Sequence, residues 1–199
     1  MAVEKTGPRN TQTQHVALSR LVAGDDGESC FEDNVISYTS NLGPLRQTAT
    51  VPVTAISFHS WPADYASGFR PAVRRRIVLV TKGTAEVLAG SGEVRTFRPG
   101  DVLETLDCEG RGHIVRAGED QPFGAALIEL DNDTGYETEK PARGPSKQSL
   151  PFLRNITGDD GQSHFEDGAL PYFAGDDGYL FTDDVAINAF QFVLSMGDL

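Results

Sequence analysis

The chain has 199 residues, enough for one domain with a hydrophobic core of its own. It carries 17 Lys and Arg residues against 29 Asp and Glu residues, and an acidic surface repels nucleic-acid phosphates and anionic membranes. No apolar run reaches the roughly 18–20 residues of a transmembrane helix, and two cysteines do not make a disulfide framework. We therefore expect a cytoplasmic protein with reduced thiols that binds neither nucleic acid nor membrane.

Short segments rich in Val, Ile, Phe and Thr recur along the chain, separated by turns of Gly, Asp and Pro. In chain order they are HVALSRLVA, VTAISFHSW, RRRIVLVT, TAEVLAG, GDVLETLD, HIVRAG and FGAALIELD. Their even spacing is typical of a β-sandwich or β-barrel, and no window of useful length has the period of an amphipathic helix. The sequence therefore predicts an all-β fold.

A stretch from the first half of the chain recurs near its end. RLVAGDDGESCFEDNVISY (20–38) matches RNITGDDGQSHFEDGALPY (154–172) without a gap, and GDDG occurs once more at 175–178. Asp-Gly favours the positive φ of a hairpin turn, and the ligand spacing of a calcium loop is missing, so we interpret each GDDG as a turn. The later copy is too short to close a barrel by itself.

One segment carries a family resemblance. GEVRTFRPGDVLETLDCEGRGH (92–113) resembles the second motif of the cupin superfamily, and the matching residues are Phe97, Pro99, Gly100, Asp101, Gly110, Gly112 and His113. RPAVRRRIVLVTKGTAEV (70–87) looks like the first cupin motif, with Gly83 at its turn, and GDDGxSxFED is similar to a subgroup of small single-barrel cupins. The resemblance implies a cupin-type antiparallel jelly-roll barrel, commonly dimeric, with a pocket in its mouth.

This resemblance suggests a division of the chain into four parts. Residues 1–15 form a polar tail, residues 16–136 form the cupin barrel, and the polar, proline-containing residues 137–150 form a linker. Residues 151–199 are a partial repeat of residues 16–65. We expect this repeat to add strands either to the barrel or to a partner subunit, because it cannot bury its edges alone.

The metal ligands of the first cupin motif are missing. Metal-binding cupins supply two histidines and a glutamate from that motif and one histidine from the second. Here the corresponding positions hold Arg70, Ala72, Arg74 and Arg76, and only His113 of the second motif remains. Arginine keeps its proton and offers no lone pair, and three arginines would repel a cation. We therefore expect no metal and no other cofactor.

The arginines lead into a strand whose two faces both become apolar after Arg76, which indicates a strand packed on both sides. We expect one or two of Arg70, Arg74 and Arg76 to bind a carboxylate, phenolate or enolate in the pocket and to stabilise charge that develops during reaction. The alternative is a structural role, in which the arginines only pair with acidic side chains such as Asp101, Glu104 and Asp107.

His113 is the first candidate for moving a proton, because histidine exchanges protons near neutral pH, and Asp107 is placed to orient it. The segment FHSWPADY precedes the arginines and contains further candidates. We assign His113, His59 and Asp64 to catalysis. Substrate binding is assigned to Arg70, Arg74, Arg76, Trp61, Tyr65 and Asp107. The alternatives are a histidine kept for packing and an ordinary loop at FHSWPADY.

The leading hypothesis is a metal-independent cupin enzyme, acting as a homodimer, that performs acid–base isomerisation, cyclisation, epimerisation or elimination. Its substrate would be a small, partly apolar metabolite with an anionic or enolisable group, a chemistry that suits secondary metabolism. Two alternatives remain, because fold alone does not determine function. One is a non-catalytic cupin that binds a small molecule or serves a structural role. The other is a metal-dependent cupin with the atypical ligands His59, His113 and Glu104.

Overall fold

The structure is a computed structural model, and it describes residues 4–6, 15–42, 45–130, 144–175 and 178–195. Every regular element in these residues is a β-strand, so the prediction of an all-β fold is confirmed. Among the same residues there is no helix with the length and apolar character needed to cross a membrane.

Seventeen strands are described. The first nine are β1 (Glu4–Thr6), β2 (His15–Ala23), β3 (Ser29–Leu42), β4 (Leu45–Thr48), β5 (Val51–Trp61), β6 (Arg76–Lys82), β7 (Ala85–Ala89), β8 (Val94–Phe97) and β9 (Val102–Thr105). The remaining eight are β10 (His113–Ala117), β11 (Phe123–Leu130), β12 (Gly144–Thr157), β13 (Ser163–Ala174), β14 (Leu180–Thr182), β15 (Val185–Ala186), β16 (Ala189–Phe190) and β17 (Val193–Ser195).

These strands form two sheets. The small sheet has the order β1-β8-β7-β10, and the large sheet has the order β12-β13-β14-β5-β11-β6-β9-β2-β3-β4-β17, with β15 and β16 also paired to β5. Most neighbouring strands are antiparallel, but β1 runs parallel to β8 and β2 runs parallel to β9. The sequence predicted an antiparallel barrel. The two parallel pairs differ from that prediction.

The two sheets face each other across one hydrophobic cluster. Val87 and Phe97 of the small sheet pack there with Leu21, Val80 and Leu103 of the large sheet. A second cluster covers the opposite face of the large sheet, and its members include Val16, Leu18, Val53, Ile77, Val102 and Ile128. Strand β6 contributes alternate residues to both clusters, as its two apolar faces predict.

The C-terminal segment adds strands to the large sheet of the same chain. Strands β14, β15 and β16 pair with β5, and β17 pairs with β4. Strand β12 begins at Gly144, inside the range predicted as a linker, because its first residues pair with the end of β13. Similarly, β1 lies inside the predicted polar tail, where its backbone pairs with β8. The rest of the predicted linker lies outside the described residues.

The two copies of the repeat both form hairpins with a GDDG turn, and their turn glycines Gly27 and Gly161 have positive φ. In each turn an Asp carboxylate accepts a backbone N–H two residues later, which supports the interpretation as a turn. The third GDDG lies partly outside the described residues. The hairpin β2–β3 is integrated into the fold, whereas among the described residues β12–β13 is paired to the rest of the sheet through β14.

Equivalent side chains of the two hairpins therefore have different surroundings. Phe31 packs against Phe97, with the ring centroids 6.3 Å apart, and the guanidinium of Arg95 lies 4.7 Å from the centroid of the Phe31 ring. Phe165, which matches Phe31 in the repeat, is 77% exposed. The environment of each phenylalanine is determined by what the rest of the chain places beside it.

This difference predicts unequal effects of the same substitution in the two copies. Phe31→Ala is expected to lower the free energy of unfolding by about 2–3 kcal/mol, because it removes a ring packed on the core. Phe165→Ala is expected to change it by less than about 0.5 kcal/mol. Urea unfolding of both variants measures the difference. Equal losses would show that the exposed face of β12–β13 is covered in solution.

Candidate functional site

A cavity of about 420 Å³ lies between the two sheets. The large sheet lines it with side chains from β5, β6, β9 and β11, and the small sheet lines it with side chains from β7, β8 and β10. The loop after β5 and residues around β14 complete the lining. The aliphatic part includes Val78, Val80, Val87, Leu103 and Val115. The size and largely apolar lining are those of a small-molecule site.

A buried acid–histidine pair stands on the small-sheet side of the cavity. His113, the first residue of β10, lines the cavity, and its Nδ1 lies 2.7 Å from Oδ2 of the fully buried Asp107. The carboxylate accepts the Nδ1–H bond, which selects one tautomer and leaves the lone pair on Nε2. In the described part of the chain no protein group is hydrogen-bonded to Nε2. The arrangement can take up a proton from a molecule in the cavity.

The backbone around His113 is held on both sides. His113 and Arg70 exchange two backbone hydrogen bonds, of 2.9 Å and 3.1 Å, and the carbonyl of Asp107 accepts one from Ala72. Gly112 has a φ of 73°, and a Cβ there would collide with the backbone of Arg70. Glycine at 112 is therefore required for the close approach that places Arg70 beside His113.

Arg74 and Arg76 share one carboxylate. Glu129 of β11 is paired in register with Arg76, and its two oxygens contact Arg74 and Arg76, the latter at 3.2 Å. The predicted structural partners are engaged elsewhere: Asp101 accepts the backbone N–H of Arg98, Glu104 binds Arg20 and Asp107 binds His113. One carboxylate thus serves two guanidinium groups at the cavity.

Arg70 is the arginine of the cavity that is open to an anion. Its Nη2 donates to the hydroxyl of Tyr65 at 2.6 Å, and among the described residues no carboxylate pairs with it. Both side chains line the cavity and also border a shallow polar depression on the surface. A charged guanidinium with a phenol hydroxyl beside it is a suitable pair of donors for a carboxylate or an enolate.

His59 of β5 lies on the large-sheet side of the same cavity, with its Nε2 3.1 Å from Oγ of Ser57. Burial, and secondarily the charge of Arg76, lower the pKa of His59 from its ordinary value near 6.5 to about 3. The ring is therefore neutral near neutral pH. It can donate or accept a hydrogen bond, but it does not carry a charge into the reaction.

Most of the residues selected from the sequence meet at this cavity, and two do not line it. His59, Trp61, Tyr65, Arg70, Arg74, Arg76 and His113 all contribute to the lining. Asp107, assigned to substrate binding, lies behind His113 and acts only through that ring. Asp64 is exposed and borders the shallow depression instead, because the chain turns outward after Trp61.

The sequence did not reveal other lining residues, which include Ser57, Phe123, Glu129, Tyr179, Phe181 and Asp184. One of them had a signal: Glu129 is the single charge in the apolar strand FGAALIEL, and a buried lone carboxylate requires a cationic partner. Tyr179 and Phe181 had none, because they reach the cavity only through the pairing of β14 with β5.

No metal-ligand cluster of three His, Cys, Asp or Glu side chains occurs within the described ranges. The alternative ligand set of His59, His113 and Glu104 is not assembled. Leu103 and Thr105 of β9 line the cavity, whereas Glu104 lies between them on the opposite face and binds Arg20 at 2.6 Å. The side chains that meet at the cavity are those of acid–base and anion-binding chemistry.

A comparison with protein-family models found no match, and a search of curated proteins found no detectably similar relative. The likeness to cupins therefore remains an interpretation of the motif residues between Arg70 and His113. The geometry of the cavity is the basis of the function proposed below.

The low pKa of His59 predicts a pH dependence of stability. As the pH falls below about 6.5, the unfolded chain binds a proton at His59 that the folded protein excludes until about pH 3. This histidine is expected to lower the free energy of unfolding by about 2 kcal/mol between pH 7 and pH 5. In His59→Asn that part of the dependence disappears. Urea unfolding at several pH values measures this pH dependence, and His164→Asn, a substitution of an exposed histidine, is the control. Identical pH profiles for wild type and His59→Asn would contradict the prediction.

Proposed function

We propose that the protein is a metal-independent enzyme with a cupin-type jelly-roll barrel. It would transfer protons at carbon in a small, partly apolar molecule that carries an anionic or enolisable group. Isomerisation, cyclisation, epimerisation or elimination would follow from this step. The supporting observation is the Asp107–His113 pair, in which a fully buried carboxylate lies 2.7 Å from a histidine that lines the cavity.

The proton would be taken by Nε2 of His113 from the carbon next to a carbonyl group. Asp107 then stabilises the imidazolium that forms, as a buried carboxylate does for the base of a catalytic triad. The electron pair of the broken C–H bond moves to the carbonyl oxygen and gives an enolate. His113 returns the proton either to a different atom of the substrate or to the same carbon after the planar enolate has turned its other face toward the ring.

The enolate oxygen requires donors that are in place before the reaction. Arg70 supplies a charged guanidinium and Tyr65 a hydroxyl, and the backbone pairing of Arg70 with His113 keeps these donors beside the base. His59 remains neutral, so its contribution is a hydrogen bond to the substrate. The apolar lining lowers the dielectric constant on the inner side of the cavity, where His113 lies, whereas Arg70 is exposed at the edge.

The guanidinium of Arg70 supports an anionic substrate. Arg70, Arg74 and Arg76 line the cavity, and the carboxylates around it are Glu129, Asp184 and, behind His113, Asp107. Glu129 contacts Arg74 and Arg76, whereas no carboxylate among the described residues pairs with Arg70. A cation without a carboxylate partner at the edge of a cavity favours the entry and orientation of anions, even though the chain as a whole has a formal net charge of −12.

The proton transfer can be tested before the natural substrate is known. 3-Benzoylpropanoate and 4-oxopentanoate, incubated with the protein in D₂O, are expected to exchange the hydrogens beside the ketone faster than in buffer, as followed by proton NMR. His113→Gln should slow the protein-dependent exchange by about 100-fold or more, because it removes the base. Asp107→Asn should also slow it, because the preferred tautomer of His113 changes.

The surface variant Arg111→Gln is the control for this experiment, since Arg111 stacks on Phe69 and binds Glu28 away from the cavity. Urea unfolding verifies that each variant is folded. Unchanged exchange in His113→Gln would rule out His113 as the base. Binding of both ketones without exchange in the wild type would favour a binding protein over an enzyme.

Arg70 is expected to determine the preference for an anion. Arg70→Gln should weaken binding of 3-benzoylpropanoate by roughly 10- to 100-fold, because a charge-assisted hydrogen bond is lost. Binding of the corresponding amide should change much less. Isothermal titration calorimetry with both compounds gives the comparison, and Arg111→Gln again serves as the control. Equal losses for the acid and the amide would contradict the assignment.

A further inference from the structure

Four rings on one wall of the cavity have nearly parallel planes. Trp61 stacks on Phe123 with the centroids 4.5 Å apart and the planes 12° apart. The planes of His59 and Tyr179 are inclined to that of Trp61 by 24° and 20°, at centroid distances of 5.4 Å and 6.4 Å. His59 and Tyr179 are inclined to each other by 5°. These four rings share an approximate orientation, whereas Phe181 and Tyr65, which also line the cavity, are inclined to members of the set by 30° to 59°.

This wall is built across adjacent parts of the large sheet. Phe123 of β11 is paired directly with Trp61 of β5, and His59 lies two residues earlier on the same face. Phe181 of β14 is paired with His59. This pairing brings Tyr179, two residues before Phe181, next to the rings of His59 and Trp61. Part of the wall thus comes from the C-terminal segment, far from the other rings in sequence.

Tyr179 has a defined position at this wall. Its backbone carbonyl accepts a hydrogen bond from Gly175 at 2.9 Å, and its ring lies against Gly175, where a Cβ would collide with it. The ring is therefore held in its orientation before any ligand binds. Preorganised rings bind a flat partner with little loss of side-chain freedom.

Parallel ring planes distinguish a flat ligand from a saturated one. Because these rings stack on one another, a planar aromatic ring in the cavity meets their edges and can make edge-to-face contacts, which add to the free energy of apolar burial. A saturated ring of the same carbon skeleton carries hydrogens above and below its mean plane, so it loses these contacts. The small-sheet side of the cavity carries Val87, Val115 and a single aromatic ring from β8, Phe97, so the row of stacked rings lies on the large-sheet side.

We propose that the substrate class of this site is a planar aromatic anion, and that Tyr179 is a specificity-determining residue for it. The face of the ring system lies against the edges of the stacked rings, and the anionic group is held by the arginines at the edge of the cavity. The proposal rests on the proposed function for the reaction performed. The binding preference itself does not require turnover and can be measured separately.

The test compares 2-naphthoate with decahydro-2-naphthoate, which has the same carbon skeleton and the same carboxylate but no aromatic ring. The saturated compound is the more hydrophobic of the two, so burial alone would favour it. 2-Naphthoate is expected to bind at least about fivefold more tightly in isothermal titration calorimetry. It should also change the fluorescence of Trp61, the only tryptophan of the chain.

Variants identify the residue responsible. Tyr179→Leu should reduce the preference for 2-naphthoate to near unity, and Tyr179→Phe, which keeps the ring, should retain it. Tyr172→Leu is the matched control, because Tyr172 is a half-buried tyrosine of the neighbouring strand β13 that does not line the cavity. Equal effects of Tyr179→Leu and Tyr172→Leu would overturn the assignment of Tyr179.

The same titrations in His113→Gln separate this proposal from the proposed reaction. The aromatic preference is expected to persist in this variant although proton exchange is lost. If no ketone exchanges its hydrogens but the aromatic preference is present, the reaction is wrong and the ligand class stands. Equal or tighter binding of the saturated compound, or no binding of 2-naphthoate, overturns the ligand class.

Discussion

A single buried carboxylate allows this protein to have arginines beside an apolar cavity. Glu129 lies in β11, seven of whose eight residues are buried, and its oxygens contact Arg74 and Arg76. Charges taken out of water are costly unless they are paired. One carboxylate therefore serves two guanidinium groups at the edge of the cavity. Burial, and secondarily the charge of Arg76, lower the pKa of the nearby His59 to about 3.

The chemistry of the site is divided between the two sheets. The small sheet carries His113, oriented by Asp107 from the connection between β9 and β10. The large sheet carries the ion pairs and the aromatic wall. Neither sheet alone forms the cavity, so the site depends on the shared hydrophobic cluster that holds the sheets face to face. Packing in that cluster determines how far His113 lies from the rings and the arginines.

The internal repeat shows how the same local sequence is used in two ways. Both copies form a hairpin with a GDDG turn, because Asp-Gly chemistry acts within a few residues. Beyond the turn the copies differ: Phe31 packs on the core and Phe165 is exposed. The strands that follow the second hairpin return to β5, and there they supply Tyr179 and Phe181 to the cavity.

The sequence by itself determined the features that depend on near neighbours and on residue chemistry. These are the all-β composition, the turns at GDDG, the two apolar faces of β6 and the positions of Asp107 and His113 on one connection. Each follows from alternation, turn propensity or the donor set of a side chain.

Only the tertiary structure decided that Glu129 is the partner of Arg74 and Arg76, that Asp64 lies outside the cavity, and that residues 179–184 help to form the cavity. These depend on the register of β11 with β6 and on the pairing of β14 with β5, and strand pairings between distant segments are set by packing across the whole sheet.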